Sequence, residues 1–254
     1  MTRYDESVTS LLYPGNTLSQ YVLQDAVVAL ERVLRVSARR RAQFCLRLDA
    51  GFGTDDNLAW ALQQGYQLLA KNNSGRRAGA WGQRVTEWQV IEPERRWIAL
   101  PPDQLLFDTP TRTIAVRWLD QRQNKLKHAL YVVTDLQRPL SEIAQLYDLR
   151  GGLEVDIRDD KQGLLLTHRR KRRWYAQEIL LLLNDLAHNF LAMFRREVLW
   201  GTTLADYGPY RLIRNIMTIP GRVIVDNEQL VELHLAQSHP DAATLAEVLP
   251  RLWQ

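Results

Sequence analysis

The spacing of apolar and polar residues changes repeatedly along the chain, and each change marks an element. Residues 3–12 predict a strand, ended by Tyr13-Pro14-Gly15-Asn16, where Pro presets φ and Gly takes the unusual one. From Thr17 to about Ser37, Val22, Ala26, Leu30, Val33 and Leu34 recur at three and four residues and predict an amphipathic helix, with Arg39-Arg40-Arg41 beyond its end. Phe44-Cys45-Leu46-Arg47-Leu48 is short and largely apolar, as a buried strand would be, and runs into Asp49. Gly51 and Gly53 break the chain. Thr54-Asp55-Asp56-Asn57 then offers an N-cap and early acids for a helix through Leu58, Trp60, Ala61 and Leu62, which Gly65 stops. Tyr66 to Ala70 predicts the next strand.

This alternation belongs to an α/β layer fold. From Arg76 to about Asp135 the pattern turns to period two, around Val85 to Ile91, Arg95 to Leu100, Thr113 to Leu119 and Ala129 to Thr134, with no convincing helical stripe. That stretch predicts a β-rich insertion and holds Trp81, Trp88, Trp97 and Trp118. Helical spacing resumes near Ser141. Trp174 to Leu199 is apolar on nearly all sides, broken by Asn184, Asp185, His188 and Asn189, and predicts a helix buried in a protein core. A hairpin about Pro220-Gly221 and a last helix from Ala242 to Leu249 complete the expected elements. The expected division is 1–75 and 136–200 for two parts of one core, 76–135 for the insertion and 201–254 for a C-terminal extension.

Composition adds exclusions. At 46% hydrophobic and 24% charged, the 254 residues suit a globular protein and exclude a disordered or collagen-like chain. The lone Cys45 excludes an intrachain disulfide and fits a reducing compartment. The start shows no signal pattern, and no apolar run nears the roughly 18 residues that span a bilayer, so a cytoplasmic location is expected. The net charge of +4 is unevenly spread: residues 161–200 carry 8 Lys and Arg against 3 Asp and Glu. At its centre Arg169-Arg170-Lys171-Arg172-Arg173 follows His168 and precedes Trp174. Such a run attracts a phosphate backbone, although a solvated charge run is the plainer reading.

Two features could carry chemistry. Asp49 follows a strand and precedes a glycine-rich turn, where α/β sheets place their sites; the alternative is a carboxylate that caps that turn. Tyr147, Arg150, Glu154 and Lys161 are spaced by three, four and seven, so on one continuous helix they fall within roughly 60° of arc. Asp156, Asp159 and Asp160 fall elsewhere, which leaves Glu154 as the one carboxylate on that stripe. A metal-bound phosphate site needs an acid for the metal and cations for the phosphates. The alternative is an ordinary Arg150–Glu154 salt bridge on a wet helix face, and Gly151-Gly152 should cost about 2 kcal/mol and kink or start the helix.

These residues resemble the DDE transposases of bacterial insertion sequences, in the group whose third acid lies in a Tyr-x2-Arg-x3-Glu-x6-Lys motif. Tyr147, Arg150, Glu154 and Lys161 meet that pattern at every fixed position. Leu46-Arg47-Leu48-Asp49-Ala50-Gly51-Phe52-Gly53 is similar to the strand and turn that carry the second acid, and the Pro14-Gly15-Asn16-Thr17 turn, the Leu186–Phe190 helix and the β-rich stretch also resemble family features. The resemblance implies an RNase H-like (retroviral integrase-like) core in which Asp49 and Glu154 ligate Mg²⁺ (or Mn²⁺), with two ions in a complete site, for in-line DNA cleavage and strand transfer at transposon ends. It implies that Arg150 and Lys161 grip phosphates, that Tyr147 contacts the DNA backbone, and that Arg169, Arg170, Lys171, Arg172 and Arg173 contact the end DNA. Trp97 or Trp118 could stack a flipped base, with buried core as the alternative.

The first acid of the family pattern has no match. Asp5 and Glu6 are the only carboxylates before Pro14, and Asp5 comes too late in the strand order. The expectation is an N-terminally truncated transposase with its first strands missing, an exposed sheet edge and no strand transfer of its own, located with the nucleoid. Competing readings are a non-catalytic DNA-binding remnant that forms mixed dimers with a full-length transposase, a nuclease that draws its third carboxylate from Asp5, and a two-carboxylate glycosidase, which explains neither the cations about Glu154 nor the basic run. The expected partners are transposon-end DNA and, in a homodimer or a mixed dimer, a second copy or a full-length transposase.

Overall fold

The computed structural model describes residues 6–102, 106–149, 151–167 and 172–253, with the backbone alone for 151–156 and 253. Two compact units form. One, here the sheet unit, is Tyr13–Gly152; the other, the terminal unit, joins Met1–Leu12 to Leu153–Gln254.

In the sheet unit the helix α1 (Leu23–Leu34) leads to β1 (Cys45–Leu48), α2 (Asp55–Gln63), β2 (Gln67–Lys71), α3 (Gly75–Arg84), β3 (Gln89–Glu92), β4 (Arg96–Ala99), β5 (Arg112–Asp120), β6 (Lys125–Val133) and α4 (Leu140–Asp148). The strands make one mixed sheet in the order β1-β2-β6-β5-β4-β3. Among the described strands only β1 and β2 are parallel, with Cys45 opposite Gln67 and Leu48 opposite Ala70, and α2 supplies the crossover such a pair needs. The unit is therefore mixed α/β. Strands of the 76–135 stretch continue the same sheet, since β6 pairs with β2 along Leu69–Lys71.

Helices cover both faces. Leu23 and Val27 of α1 and Leu58, Ala61 and Leu62 of α2 pack with Leu48, Leu68, Ala70 and Val132. On the opposite face Ile143, Ala144 and Tyr147 of α4 pack with Leu69, Ile114, Val116 and Tyr131. Glu31 fixes the end of α1: Arg41 Nε donates to it at 2.6 Å, and the Tyr66 hydroxyl donates to the same oxygen. Burial and that carboxylate push the Tyr66 phenol up to about 12.

Several sequence expectations need correction. Helix α3 stands where no helical stripe was predicted. Its glycines disguise it, yet the Ser74 side chain caps it by accepting from the Arg77 amide at 3.3 Å, and it packs through small residues. Ala78 is buried against Ala115 and Leu130, and a Cβ at Gly82 would lie 2.4 Å from His128 Cδ2. Strand β1 is no buried strand: among the described residues it is the edge of the sheet, with Cys45 and Arg47 exposed. Residues 6–12 form no strand among the described residues. They are held by side chains, Ser7 and Ser10 donating to Asp185 at 3.0 and 2.8 Å and Asn189 bonding the Ser7 backbone twice.

In the terminal unit α5 (Gly151–Gly163) precedes α6 (Trp174–Glu197), a short helix α7 (Pro209–Arg211) that runs into a π turn (Leu212–Ile216), a hairpin of β7 (Gly221–Asp226) and β8 (Gln229–Leu235), and α8 (Ala242–Val248). Leu191, Val198, Leu199, Leu204, Leu212, Ile216, Leu245 and Val248 form its core. Helix α6 is not wholly buried as expected, because Tyr175, Ile179, Leu182, Leu186, Phe190 and Met193 form an exposed stripe. Among the described residues no helix is long and apolar enough to cross a membrane. The hairpin turns at Asn227-Glu228, both at positive φ, while Pro220-Gly221 opens β7.

Two outcomes follow for stability. Gly53→Ala should cost about 1–3 kcal/mol in urea denaturation, because the new Cβ would lie 1.8 Å from the Lys71 carbonyl oxygen, a backbone atom that cannot step aside. Burial, with Arg117 nearby, holds the His128 imidazole below its ordinary 6.5. Its contribution to stability is present above that value and lost as pH falls through the folded pKa. Stability should therefore decline from pH 7 to 5, and His128→Gln should flatten that part of the profile.

Candidate active site and nucleic-acid interface

The parallel pair β1 and β2 sets its carboxyl ends side by side, and Asp49 follows β1 directly. Its carboxylate accepts from the Phe52 amide at 3.3 Å, so one of its tasks is the turn-capping role that the sequence allowed. The turn is fixed from below by the buried Asn57, whose amide group donates to the carbonyls of Phe52 at 3.0 Å and Gln20 at 2.8 Å. Gly53 passes over the end of β2, and the Asn73 amide donates to its carbonyl at 2.9 Å. Asp55, in the first turn of α2, accepts from Asn72 at 2.8 Å and from both Arg77 terminal nitrogens at 2.9 and 2.7 Å, which holds its carboxyl below the usual range. These bonds leave Asp49 half-buried at the end of β1.

The other motif is divided. Tyr147 lies in the last turn of α4, which ends at Asp148, and α5 begins at Gly151, so the expected single stripe from Tyr147 to Lys161 is interrupted where Gly151-Gly152 predicted a kink or a start. Tyr147 is 7% exposed and stacks on Tyr131 with ring centres 4.2 Å apart, a core position of the sheet unit. Arg150 lies outside the described residues. Glu154 is placed by backbone alone, on α5, and Lys161 is exposed on the last turn of that helix. Of the basic run, Arg169, Arg170 and Lys171 lie outside the described residues, whereas Arg172 and Arg173 are exposed, with Arg173 at the N-cap of α6.

A divalent metal needs several oxygen ligands. Among the described residues no group of three or more His, Cys, Asp or Glu is gathered to supply them. The Glu154 carboxylate lies outside the described side chains, and no chemical step is assigned through a metal.

Sequence reasoning missed a cationic cavity on the α4 face of the sheet unit. It has a volume of about 700 Å³ and is lined by Lys71, Arg95, Arg96, Arg122, Glu92, Asp120, Trp118 and Tyr131. Lys71 ends β2, and its ammonium lies 5.2 Å from the centre of the Trp118 ring. Arg96 pairs with Asp148 and donates to the Tyr131 hydroxyl at 3.3 Å; burial pushes that phenol up to about 12. On the opposite face Arg117 sits between Trp88 and Trp97, 4.3 and 4.9 Å from their ring centres. The adjacent Arg-Trp pairs, Arg96-Trp97 on β4 and Arg117-Trp118 on β5, were the signal that could have revealed both clusters, since neighbours along a strand face opposite sides. Cations beside aromatic faces suit a phosphate chain with unstacked bases.

No curated protein matches the chain. Residues 3–254 match the family described as transposase DDE domain group 1, nearly the full length. The chain belongs to that transposase DDE domain family.

Proposed function

We propose that this chain is a DDE transposase catalytic domain of the insertion-sequence type with an RNase H-like core, which binds transposon-end DNA. Family membership over residues 3–254 carries the reading. The mixed sheet, with Asp49 at the carboxyl end of its parallel pair, supports it. Asp49 and Glu154 are the proposed catalytic acids. The family generally uses divalent metal ions, and Mg²⁺ or Mn²⁺ bound by these acids would supply a polarised attacking oxygen and a stabilised leaving oxygen. Arg150 and Lys161 are assigned to phosphates beside the scissile bond and Tyr147 to the end DNA.

The residues of the chain itself would do the following. Lys71, Arg95 and Arg122 draw the phosphate backbone to the cavity by charge. Trp118 offers a flat apolar face to an unpaired base, an arrangement indifferent to base identity. Arg172 and Arg173, with the rest of the run from Arg169, are assigned to phosphates of the end DNA. By itself the chain is proposed to be inactive in strand transfer, since two acids are assigned where the chemistry uses three. Glu6 is engaged by Arg196 at 2.7 Å, and Asp5 lies outside the described residues.

A second reading has an observation in its favour. The Asp49 carboxylate caps its own turn, which fits a non-catalytic DNA-binding role in mixed dimers with a full-length transposase. Asp49→Ala leaves DNA affinity unchanged under either reading. Only the catalytic one requires that the substitution lower nicking when a complete transposase is present.

Binding should be read by fluorescence anisotropy on end DNA across a salt series. Affinity should fall steeply with salt, and Arg172→Ala with Arg173→Ala should reduce the slope of log K against log salt by about 1–2. Trp118→Ala should weaken binding to DNA with unpaired terminal bases by about 5- to 100-fold, with a smaller effect on blunt duplex. Salt-insensitive binding, or equal loss on both DNAs, would count against the interface. Mg²⁺-dependent nicking by the chain alone that Glu154→Ala abolishes would refute the proposed inactivity.

A further inference from the structure

The β7–β8 hairpin carries an interaction surface. A free two-stranded sheet is marginal in water, and this one is exposed on both strands: Val223 is 59% and Val225 58% exposed, with Leu230, Val231 and Leu233 exposed beside them. Its two outer edges differ. Strand β8 carries a bulge, because Ile224 pairs with Glu232 while Val225 pairs with Leu230, which leaves Val231 over. A bulge spoils an edge for further pairing. Strand β7 runs without interruption from Gly221 to Asp226.

The backbone of β7 is poised for a partner. The Ala236 amide donates to the Pro220 carbonyl at 2.8 Å. By the alternation of an antiparallel ladder, Pro220, Arg222, Ile224 and Asp226 turn their backbone groups to β8, while Val223 and Val225 turn theirs outward. The strand is also its own complement. In an antiparallel pair of two copies centred on Ile224, Val223 lies opposite the partner's Val225 as a hydrogen-bonded pair, using those outward groups. In the same register Arg222 lies opposite the partner's Asp226, and the two-fold axis repeats the pair. Such non-hydrogen-bonded neighbours have the closer side chains. The equivalent pairing of β8 would set Glu232 against its own copy.

We propose that two copies of this chain associate through antiparallel pairing of β7, centred on Ile224, to make a four-stranded sheet. The occupant is a second copy because the charge pattern of Arg222-Val223-Ile224-Val225-Asp226 matches its own reverse.

Sedimentation equilibrium of the full chain tests this. The unaltered chain should dimerise. Arg222→Asp, which sets acid against acid, should weaken association at least tenfold, and Arg222→Asp with Asp226→Arg should restore it. Val225→Pro should abolish dimers while sparing the hairpin, since the lost N–H faces away from β8. With Cys45→Ser, Ile224→Cys should give a disulfide-linked dimer on oxidation. A chain that stays monomeric, a dimer unaffected by both Arg222→Asp and Val225→Pro, or a double charge swap that fails to restore pairing would overturn the proposal.

Discussion

The sheet unit depends on one close approach, that of the Gly53 backbone to the carbonyl of Lys71 at the end of β2. A parallel strand pair leaves its carboxyl ends unfinished, because the chain must leave β1, form the crossover helix and return beside itself. Here the turn after β1 is pressed so closely on β2 that a side chain at Gly53 has no room. The Asn57 amide, the Thr54 cap of α2 and the Asp55–Arg77 pair then fix the turn on three sides. Asp49 owes its half-buried place at the end of β1 to this packing. The cavity face of the same strand end is Lys71, so the contact that positions the acid also anchors the ammonium beside Trp118.

The tryptophans of the sheet unit divide their duties by face. Trp88 and Trp97 enclose Arg117, and Trp88 also lies against His128, whose other side meets Gly82 of α3. That stack joins α3 to the sheet, and a guanidinium held between two rings has little left to offer a ligand. Trp118 is on the other face, inside a cavity with cations on its walls and two acids among them. Asp120 is paired to Lys127 at 2.6 Å and Arg96 to Asp148, so the pairs largely offset one another. With Lys71, Arg95 and Arg122 also on its walls, the cavity carries more cations than acids, a balance that favours a polyanion over a neutral ligand.

What could be seen in the sequence follows from how local each signal is. Helix α2 was legible to its cap because Thr54, two acids and Gly65 act within its own length. Helix α3 was hidden since Gly82 answers to His128 on a strand far along the chain, where close backbone contact replaces an apolar side chain. The edge position of β1 could not be read from five mostly apolar residues, as periodicity reports burial on faces and is silent on edges. For the candidate site, Asp49 lies at a strand end as expected, while the Tyr147–Lys161 stripe needs one continuous helix, and α5 starts at Gly151, where the two glycines predicted a kink or a start. The cations around Trp118 escaped notice because the cavity's residues come from all of β2 to β6 and the turns after β3 and β5, brought together by register alone.

Helix α6 shows how polar residues in an apolar run acquire meaning only from their partners. Asp185 and Asn189 hold residues 7–10, and His188 meets Asp160 of α5 at 2.9 Å, so the breaks in its apolar run are attachment points. The start of the helix is different. Its first turn has no acid, and the residues before it are cations up to the N-cap Arg173. Peptide dipoles make that end positive, so each nearby cation costs about 0.3–1 kcal/mol where an acid would stabilise. Helix stability therefore argues against the basic run, as does mutual repulsion within it. A phosphate chain would reverse both effects at once, since it neutralises the arginines and meets the positive end of the helix with negative charge.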